Sequence, residues 1–457
     1  MTDNGSCDPA TPHAPRCAEQ PTIFPLGPPS APPARPVPAD PKQGARLRHA
    51  QRAQIASGRI DLEAMRPEDH AARAIWAVVD RLDLSRLYAQ IAARDDVAGA
   101  PAIDPKILLA LWVYASSEGE ASAREIWRLT QCHDAYRWIC GGVTVGYHTL
   151  SDFRSEQGAA MNELITQVLA LLMQQDLVDL SRVAQDGTRV RASAGASSFR
   201  RQKTLQALMQ EARAHLETVT REAADPTISA RRAAARKRGA LDRLGRLEAA
   251  LMQVPAVTAT KQRSGAKDTT VRVSSTDPDA RVMKMGDGGF RPAFNVQFAT
   301  TTDTARVIVG VALTNRGSDQ GETTPMLEQI EQRTGERPAE LLVDGGYNRH
   351  QAIDEAAARD VTVYAPLPKP PTRDTRDPHA PRDDDSEAVA AWRQRMAPEE
   401  AKVIYTQRAA TAETVNADAK EHRGLDSLTV RGREKALGSA LLFALTYNIL
   451  RVLALGA

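Results

Sequence analysis

The feature that most constrains the fold is the order of strand and helix patterns between residues 290 and 365. The apolar runs FNVQFAT and ARVIVGVALTN are separated only by TTDT, a spacing that predicts two antiparallel strands joined by a short loop. A helical pattern, the buried run LLVDGGY, a second helix and the short strand VTVYAPL follow. Antiparallel strands followed by alternating helices and strands predict an α/β domain with a mixed sheet.

One further strand precedes this segment, and a long charged insertion separates the two. The stretch DLSRVAQDGTRVRAS predicts a strand. The insertion, residues 199–256, has two apolar stripes with helical spacing that Asp225-Pro226 breaks apart, so we predict an inserted helical hairpin. The stripes are Leu205, Leu208, Leu216 and Val219, then Leu241, Leu244, Leu247, Leu251 and Val254.

Residues 59–178 have the periodicity of several short helices and form a predicted helical domain. Asp104 suits an N-cap and Pro105 a first helical position. Arginines along these helices suit a DNA-binding domain, but the charge pattern alone favours a plain bundle with a solvated arginine face. Both interpretations remain open from the pattern; the arginines are Arg124, Arg128, Arg137 and Arg154.

The N-terminal region has the composition of a disordered tail. Residues 1 to about 42 hold 12 of the 28 prolines and almost no periodic apolar pattern, so residues 1–58 are predicted to be disordered. No basic segment followed by an apolar one stands at the N-terminus, and we expect no export signal. The remaining 179–457 region is predicted to be the α/β domain.

The protein as a whole is not a polycation, because 57 Asp and Glu nearly balance 59 Lys and Arg and leave a net charge of +2. Any surface for nucleic acid must therefore be local. Four scattered cysteines are more typical of a reducing cytosol than of a disulfide scaffold. The uncharged C-terminal stretch, residues 436–450, is shorter than the roughly 20 residues of a membrane span, so we predict a buried core helix there.

Two aspartates occupy matching positions in the strand patterns. Asp186 and Asp344 each follow an apolar run and precede a glycine, so we expect each to end a strand. Open α/β sheets bind their ligands at strand ends, and both carboxylates could face one crevice. Asp-Gly is also a common turn dipeptide, which leaves a β-turn corner open for Asp186. Glu413 is the third candidate, because Lys420, seven residues later, falls on the same helical face.

Three carboxylates suit phosphodiester chemistry. Mg²⁺ takes oxygen ligands, usually one or two carboxylates together with substrate phosphate. Two such ions roughly 4 Å apart activate a nucleophile and stabilise the leaving oxygen of an in-line displacement. We therefore predict that Asp186, Asp344 and Glu413 are both catalytic and metal-binding if the fold brings them together.

These motifs resemble those of bacterial insertion-sequence transposases of the DDE type, which have an RNase H-like catalytic domain. The resemblance rests on QDGTRVRA, GGFRPAFNVQ, LLVDGGY and YTQRAATAE, and it covers about residues 60–455. It implies that the strands on both sides of the insertion belong to one sheet. It also implies that the three acids hold Mg²⁺, for which Mn²⁺ can substitute.

In this family a Tyr, an Arg, a Glu and a Lys form a signature around the third acid. The signature carries over to Tyr405, Arg408, Glu413 and Lys420, which the resemblance implies contact DNA. Arg408 and Glu413 are separated by four residues, where the commonest form has three. We therefore expect these two side chains to lie off a common helical face.

The resemblance implies a transposase, an enzyme that cuts DNA at the ends of a mobile element and joins those ends to target DNA. Its expected partners are double-stranded DNA and, on DNA, a second copy of the chain; its expected place is the bacterial cytoplasm, with the nucleoid. A nuclease that cuts without joining and a catalytically silent DNA-binding regulator are the alternatives. The insertion also carries a basic cluster, which either binds DNA phosphate or is only a solvated helix face. Its residues are Arg231, Arg232, Arg236, Lys237 and Arg238.

Overall fold

The structure, a computed structural model, describes residues 46–456 with gaps at 52–54, 57–59, 95–99, 224, 226, 264, 266–270 and 369–375. The predicted tail over residues 1–58 lies almost wholly outside the described residues, and so does Pro226 of the predicted helix break.

Helices make up most of the described chain before residue 178. α3 begins as the sequence predicts, because Asp104 is its N-cap and accepts a hydrogen bond from Lys106 N, while Pro105 takes the first helical position. Two short strand pairs accompany these helices, Leu47–Arg48 with Ala102–Ile103 and Ile55–Ala56 with Ile60–Asp61. The helices are α1 (Ala71–Arg81), α2 (Ser85–Ala89), α3 (Pro105–Ser117), α4 (Ala123–Cys132), α5 (Asp134–Cys140), α6 (Tyr147–Glu156) and α7 (Gly158–Gln174).

A mixed sheet follows, with its strands in the order β4-β3-β1-β5-β6 and with β2 paired to the first residues of β3. β3 is antiparallel to β1 and β4, whereas β5 is parallel to β1 and β6. The predicted mixed sheet is thereby confirmed, and strands from both sides of the insertion are neighbours in it. The strands are β1 (Arg182–Arg191), β2 (Arg281–Lys284), β3 (Phe290–Thr301), β4 (Ile308–Thr314), β5 (Glu340–Leu342) and β6 (Thr362–Tyr364).

Two long helices, α8 (Gln202–Glu222) and α9 (Ala230–Arg263), occupy the insertion between β1 and β2. They pack against each other in antiparallel directions, because Glu222 pairs with Arg236 near one end and Arg213 pairs with Glu248 further along. The pair has a small apolar core of its own, and a two-stranded ribbon, Phe199–Arg200 with Val273–Ser274, closes its base. That core contains Leu205, Ala212, Leu247, Ala250, Val254, Val257, Val271 and Val273.

The C-terminal half supplies the helices that flank the sheet. A nearly continuous helical segment runs from α13 to residue 422 and includes two π-helical turns, Ala409–Glu413 and Asp418–His422. The α-helices are α10 (Thr323–Thr334), α11 (His350–Ala357), α12 (Glu387–Arg395), α13 (Glu399–Arg408), α14 (Thr414–Ala417) and α15 (Arg433–Leu455).

The last helix, α15, joins the N-terminal helices to the sheet. It packs against α7, α6 and α3 on one side and against β4 on the other, so all of these share one core. Asn448 fixes the register of that contact, because its side chain donates to Ile308 O and accepts from Ile308 N, both at 2.8 Å. Among the described helices α15 alone is long and apolar enough to span a membrane, but 67% of its most apolar window is buried. It is the predicted core helix.

Candidate active site

Asp186 lies in the middle of β1, not at its end. The strand continues through Gly187 to Arg191, and Asp186 is paired with Phe298 of the neighbouring β3. Both the expected strand end and the alternative turn corner are therefore wrong. The pairing with β3 holds Asp-Gly extended, because a ladder of nine residue pairs from Val183 to Arg191 outweighs the local turn preference.

Asp344 lies beside Asp186 on the next strand. β5 is parallel to β1 with Leu342 opposite Ala184, so continuing that register by two residues places Asp344 level with Asp186. The carboxylate of Asp344 accepts a hydrogen bond from Gly346 N at 2.7 Å. A Cβ at position 346 would stand 2.8 Å from Asp344 Oδ1, so this turn needs glycine for the close approach. The two aspartates therefore lie on neighbouring parallel strands.

Asp186 is mostly buried, and its surroundings disfavour its negative charge. Burial raises the pKa of Asp186 to about 6, and the nearby carboxylates of Asp344 and Asp319 act in the same direction, whereas Arg408 lowers it. The guanidinium of Arg408 lies 3.4 Å from Asp186 Oδ2. The negative charge of a buried carboxylate beside two others is unfavourable unless further positive charge lies nearby. A bound metal ion would supply that charge.

Glu413 is held near this pair through Arg408. Arg408 Nη2 donates to Glu413 Oε1 at 2.7 Å, while its other amino group faces Asp186. The expectation that Arg408 and Glu413 lie off a common face is therefore wrong. The helix between them is a π-helical turn, Ala409–Glu413, in which hydrogen bonds run from residue i to i+5, so residues five apart face the same way. The turn absorbs the additional residue and packs against β1 and β3.

Tyr405 and Lys420 flank the same region. The Arg408 guanidinium lies 5.8 Å from the centre of the Tyr405 ring, one turn before it on α13. Lys420 is half-buried, and burial lowers its pKa; attraction to Asp426 and Asp186 opposes that shift. The structure thus brings all four signature residues to the side of β1 that carries Asp186.

A fourth carboxylate, Asp319, was missed by sequence reasoning. It lies in the loop between β4 and α10, is only 6% exposed, and accepts hydrogen bonds from Asn295 Nδ2 at 2.6 Å and Gln297 Nε2 at 2.7 Å. Arg189 of β1 pairs with it at 2.9 Å. With these three donors the Asp319 carboxylate has its hydrogen-bond partners within the fold. It lies next to β1, the strand that carries Asp186. The alternation of Asn295 and Gln297 on a buried strand was the available signal.

Gly187 and Tyr347 connect this network to the candidate site. A Cβ at Gly187 would come closer than 3.0 Å to side-chain atoms of Asp319, Gln297 and Asn295, so the network fills the space that a side chain would take. The buried hydroxyl of Tyr347 donates to Gln297 Oε1, and burial together with the surrounding carboxylates raises the Tyr347 pKa. The phenol is therefore a neutral hydrogen-bond donor in this position.

Asn416 was also missed. Its Nδ2 donates to Asp186 Oδ2 at 3.1 Å, and its Oδ1 is buried with no hydrogen-bond partner in the part of the chain that the structure describes. The residues fit a hard divalent cation, because clustered carboxylates and an unpaired amide oxygen are the ligands that Mg²⁺ prefers. The same described residues contain no ready-made group of three or more His, Cys, Asp or Glu for a metal ion.

The basic cluster of the insertion lies elsewhere, on the exposed side of α9. Arg236 pairs with Glu222 of α8 at 2.7 Å. No hydrogen bond or ion pair among the described residues joins the cluster to Asp186, Asp344 or Glu413. The five side chains are all exposed: Arg231, Arg232, Arg236, Lys237 and Arg238.

Two family models match this chain. Residues 60–156 are similar to the family described as Transposase domain (DUF772), and residues 268–449 are similar to the family described as Transposase DDE domain. The second match includes Asp344 and Glu413, whereas Asp186 lies outside both. Neither the curated proteins nor the solved structures gave a match. A DDE domain implies an RNase H-like fold, with which the mixed sheet and its flanking helices are compatible.

Proposed function

Because the chain belongs to the DDE transposases of insertion sequences, we propose that it cuts DNA at the ends of a mobile element and joins those ends to target DNA. As a transposase it is a nucleic-acid-acting enzyme. The observation that carries the proposed chemistry is the side-by-side placement of Asp186 and Asp344 on neighbouring parallel strands, with Arg408 linking Asp186 to Glu413.

We propose that Asp186, Asp344 and Glu413 hold divalent cations. DDE transposases generally use such ions, and the buried Asp186 with carboxylates beside it favours positive charge. When bound, Mg²⁺ supplies positive charge against the negative charge that develops on the phosphate, and Mn²⁺ can replace it. Glu413 is exposed to the extent of 57% of its side chain, so it has room to turn from Arg408 toward the aspartates.

The other signature residues position the DNA. Arg408 is planar and always charged, so it suits a bidentate contact with a phosphate once Glu413 leaves it. Lys420 supplies a point charge on the same side of β1, and Tyr405 orients the Arg408 guanidinium by stacking. Catalysis is then mainly positioning of the attacking hydroxyl and neutralisation of the phosphate.

DNA is recognised outside this centre. The helical region, residues 59–178, binds the terminal sequence of the element, and the α/β domain over residues 179–457 carries the chemistry. The hairpin of residues 199–256 contacts flanking DNA through Arg231, Arg232, Arg236, Lys237 and Arg238, and two chains act together on two ends. Exposure of all five basic side chains supports the contact.

The test uses supercoiled DNA carrying both ends of the element, with Mg²⁺ or with chelator. The full chain should cut and join this DNA only with Mg²⁺, and Asp344→Asn should abolish both activities while leaving DNA binding intact. Asp384→Asn is the matched control, because Asp384 is an exposed carboxylate in the segment before α12. It should behave as the unaltered chain does.

Three other outcomes contradict the proposal. Cleavage without joined products would identify a nuclease. DNA binding without cleavage by the unaltered chain in Mg²⁺ or Mn²⁺ would identify a regulator. Cleavage that survives Asp344→Asn would remove Asp344 from the site.

A further inference from the structure

A pocket of about 330 Å³ lies between α4 and α6, away from the candidate active site. Two helix N-termini meet there: α4 begins after Ser122, whose hydroxyl caps it by accepting from Glu125 N, and α6 begins after Gly146, which provides no side-chain cap. The first amides of a helix lack partners within the helix and attract anions. The pocket is lined by Ser122, Ala123, Arg124, Tyr147, His148, Ser151, Arg154 and Thr429.

Arg154 is a buried cation in the wall of this pocket. It is only 7% exposed, and its guanidinium donates to two neutral groups, Ala121 O at 2.5 Å and Thr429 Oγ1 at 3.0 Å. Its Nε is buried without a hydrogen-bond partner among the described residues. Burial lowers the pKa of Arg154 to about 10, and no carboxylate offsets that effect. The guanidinium lies 4.6 Å from the centre of the Trp112 ring, which stabilises part of its charge, and an anion in the pocket would supply the acidic partner that Arg154 lacks.

The rim adds positive charge and exposed aromatic surface. Arg124 is exposed, and its guanidinium lies 5.4 Å from the centre of the Tyr147 ring. Trp127 is 41% exposed and meets the edge of Tyr147 at 6.1 Å. The nearby acid on α4, Glu125, is already hydrogen-bonded to Arg128 at 2.9 Å. The donors that line the pocket are hydroxyls, guanidinium groups and an imidazole, which together suit a phosphate oxygen.

We propose that this pocket binds a backbone phosphate of the DNA that the protein processes, with Trp127 and Tyr147 against the adjoining sugar or base. The assignment rests on the proposed function, which it deepens by naming a contact point. Thr429 follows Leu428, whose amide donates to Arg191 O at the end of β1. The pocket therefore adjoins the end of β1, five residues beyond Asp186, and DNA that is bound there would pass beside the catalytic sheet.

The experiment measures DNA affinity against salt concentration for the full chain, with chelator present so that nothing is cut. Arg124→Gln removes an exposed charge without disturbing the core, and Ser151→Glu places a carboxylate in the pocket. Arg86→Gln is the control, because it makes the same change on α2, where both Arg86 and its partner Glu163 lie outside the pocket. Arg154 is left in place, because its loss would leave Ala121 and Thr429 unpaired.

Arg124→Gln should weaken binding about equally for different DNA sequences and reduce the slope of log affinity against log salt by about 1, as for one lost phosphate contact. Ser151→Glu should also weaken binding, and Arg86→Gln should not change the slope. Ethylation of single phosphates should identify one position that hinders the unaltered chain and no longer hinders Arg124→Gln.

Other results overturn the assignment. Equal slopes for all variants would remove the pocket from the DNA interface and leave the proposed function standing, whereas an unaltered chain that does not bind DNA would contradict both. If inorganic phosphate binds the unaltered chain and not Ser151→Glu while DNA slopes stay equal, the pocket holds a free anion rather than DNA.

Discussion

Gly187→Ala tests whether the network around Asp319 supports the Asp186 strand. The added Cβ would come closer than 3.0 Å to Asp319 Oδ1, Gln297 Nε2 and Asn295 Oδ1. These are side-chain ends, but they are buried, and Asn295 Nδ2 and Gln297 Nε2 both donate to Asp319 Oδ1, so they cannot simply rotate away. Either the strand shifts or hydrogen bonds to a buried carboxylate break.

The magnitude follows from those two costs. Overpacking a tight interior costs roughly 1–3 kcal/mol, and a lost hydrogen bond to a charged group costs roughly 1.5–3 kcal/mol. Since either cost alone suffices, we expect Gly187→Ala to lower the free energy of unfolding by about 1–3 kcal/mol and to reduce DNA cleavage, because Asp186 precedes it on β1. Urea unfolding measures the first effect and cleavage of end-bearing DNA the second.

Gly195→Ala is the matched control. A Cβ there would meet only Ser197 Oγ at an ordinary 3.6 Å, so stability and cleavage should be nearly unchanged. In an Asp319→Ala background, the additional cost of Gly187→Ala should fall by at least about 1 kcal/mol, because residues in one network couple. Unaltered stability of Gly187→Ala, or a cost that is the same in both backgrounds, would show that the Asp319 network does not support this strand.

Three further results are expected. Deleting Ala410 should turn the π-helical turn into α-helix, keep Arg408 and Glu413 on one face and preserve DNA cleavage. Inserting one alanine after Ala410 should separate the two side chains and abolish cleavage. The reverse pattern would contradict the role of that turn. Asn448→Leu should lower the free energy of unfolding by about 2–4 kcal/mol in urea, because Ile308 N and O lose their partners, and a loss under about 0.5 kcal/mol would contradict it. Replacing the basic cluster of α9 with Gln should flatten the salt dependence of DNA binding, and an unchanged slope would exclude the hairpin from the interface; the residues are Arg231, Arg232, Arg236, Lys237 and Arg238.

The sequence predicted the parts of the site that local patterns encode. Apolar runs before Asp186 and Asp344 identified two strands. Because open α/β sheets place ligands at strand ends, the two aspartates were expected to face one crevice. The pattern did not reveal that β1 continues beyond Asp186, because that extension depends on pairing with β3 more than a hundred residues away. Asp319 escaped prediction because it lies in a loop without periodicity, and only the fold brings it below β1.

The error about Arg408 and Glu413 has a different origin. Counting residues assumes a regular α-helix, and on that assumption the additional residue rotates one side chain away from the other. Contacts of the turn Ala409–Glu413 with β1 and β3 support an irregular helix instead. A spacing rule derived from ideal geometry is therefore weakest where a helix packs tightly against a functional strand.

The core that α15 shares between the N-terminal helices and the sheet has a consequence for how a cutting position is chosen. If the α4–α6 pocket binds the DNA, the distance along the DNA from the bound phosphate to the scissile bond is fixed by elements that share one core. The hairpin of α8 and α9 is different, because it has a separate core, and among the described residues a narrow ribbon and hydrogen bonds of Gln253 with Asp279 and Arg281 join it to those elements near its base. The shared core then determines the position of the cut, whereas the hairpin can adjust to flanking DNA that follows different paths.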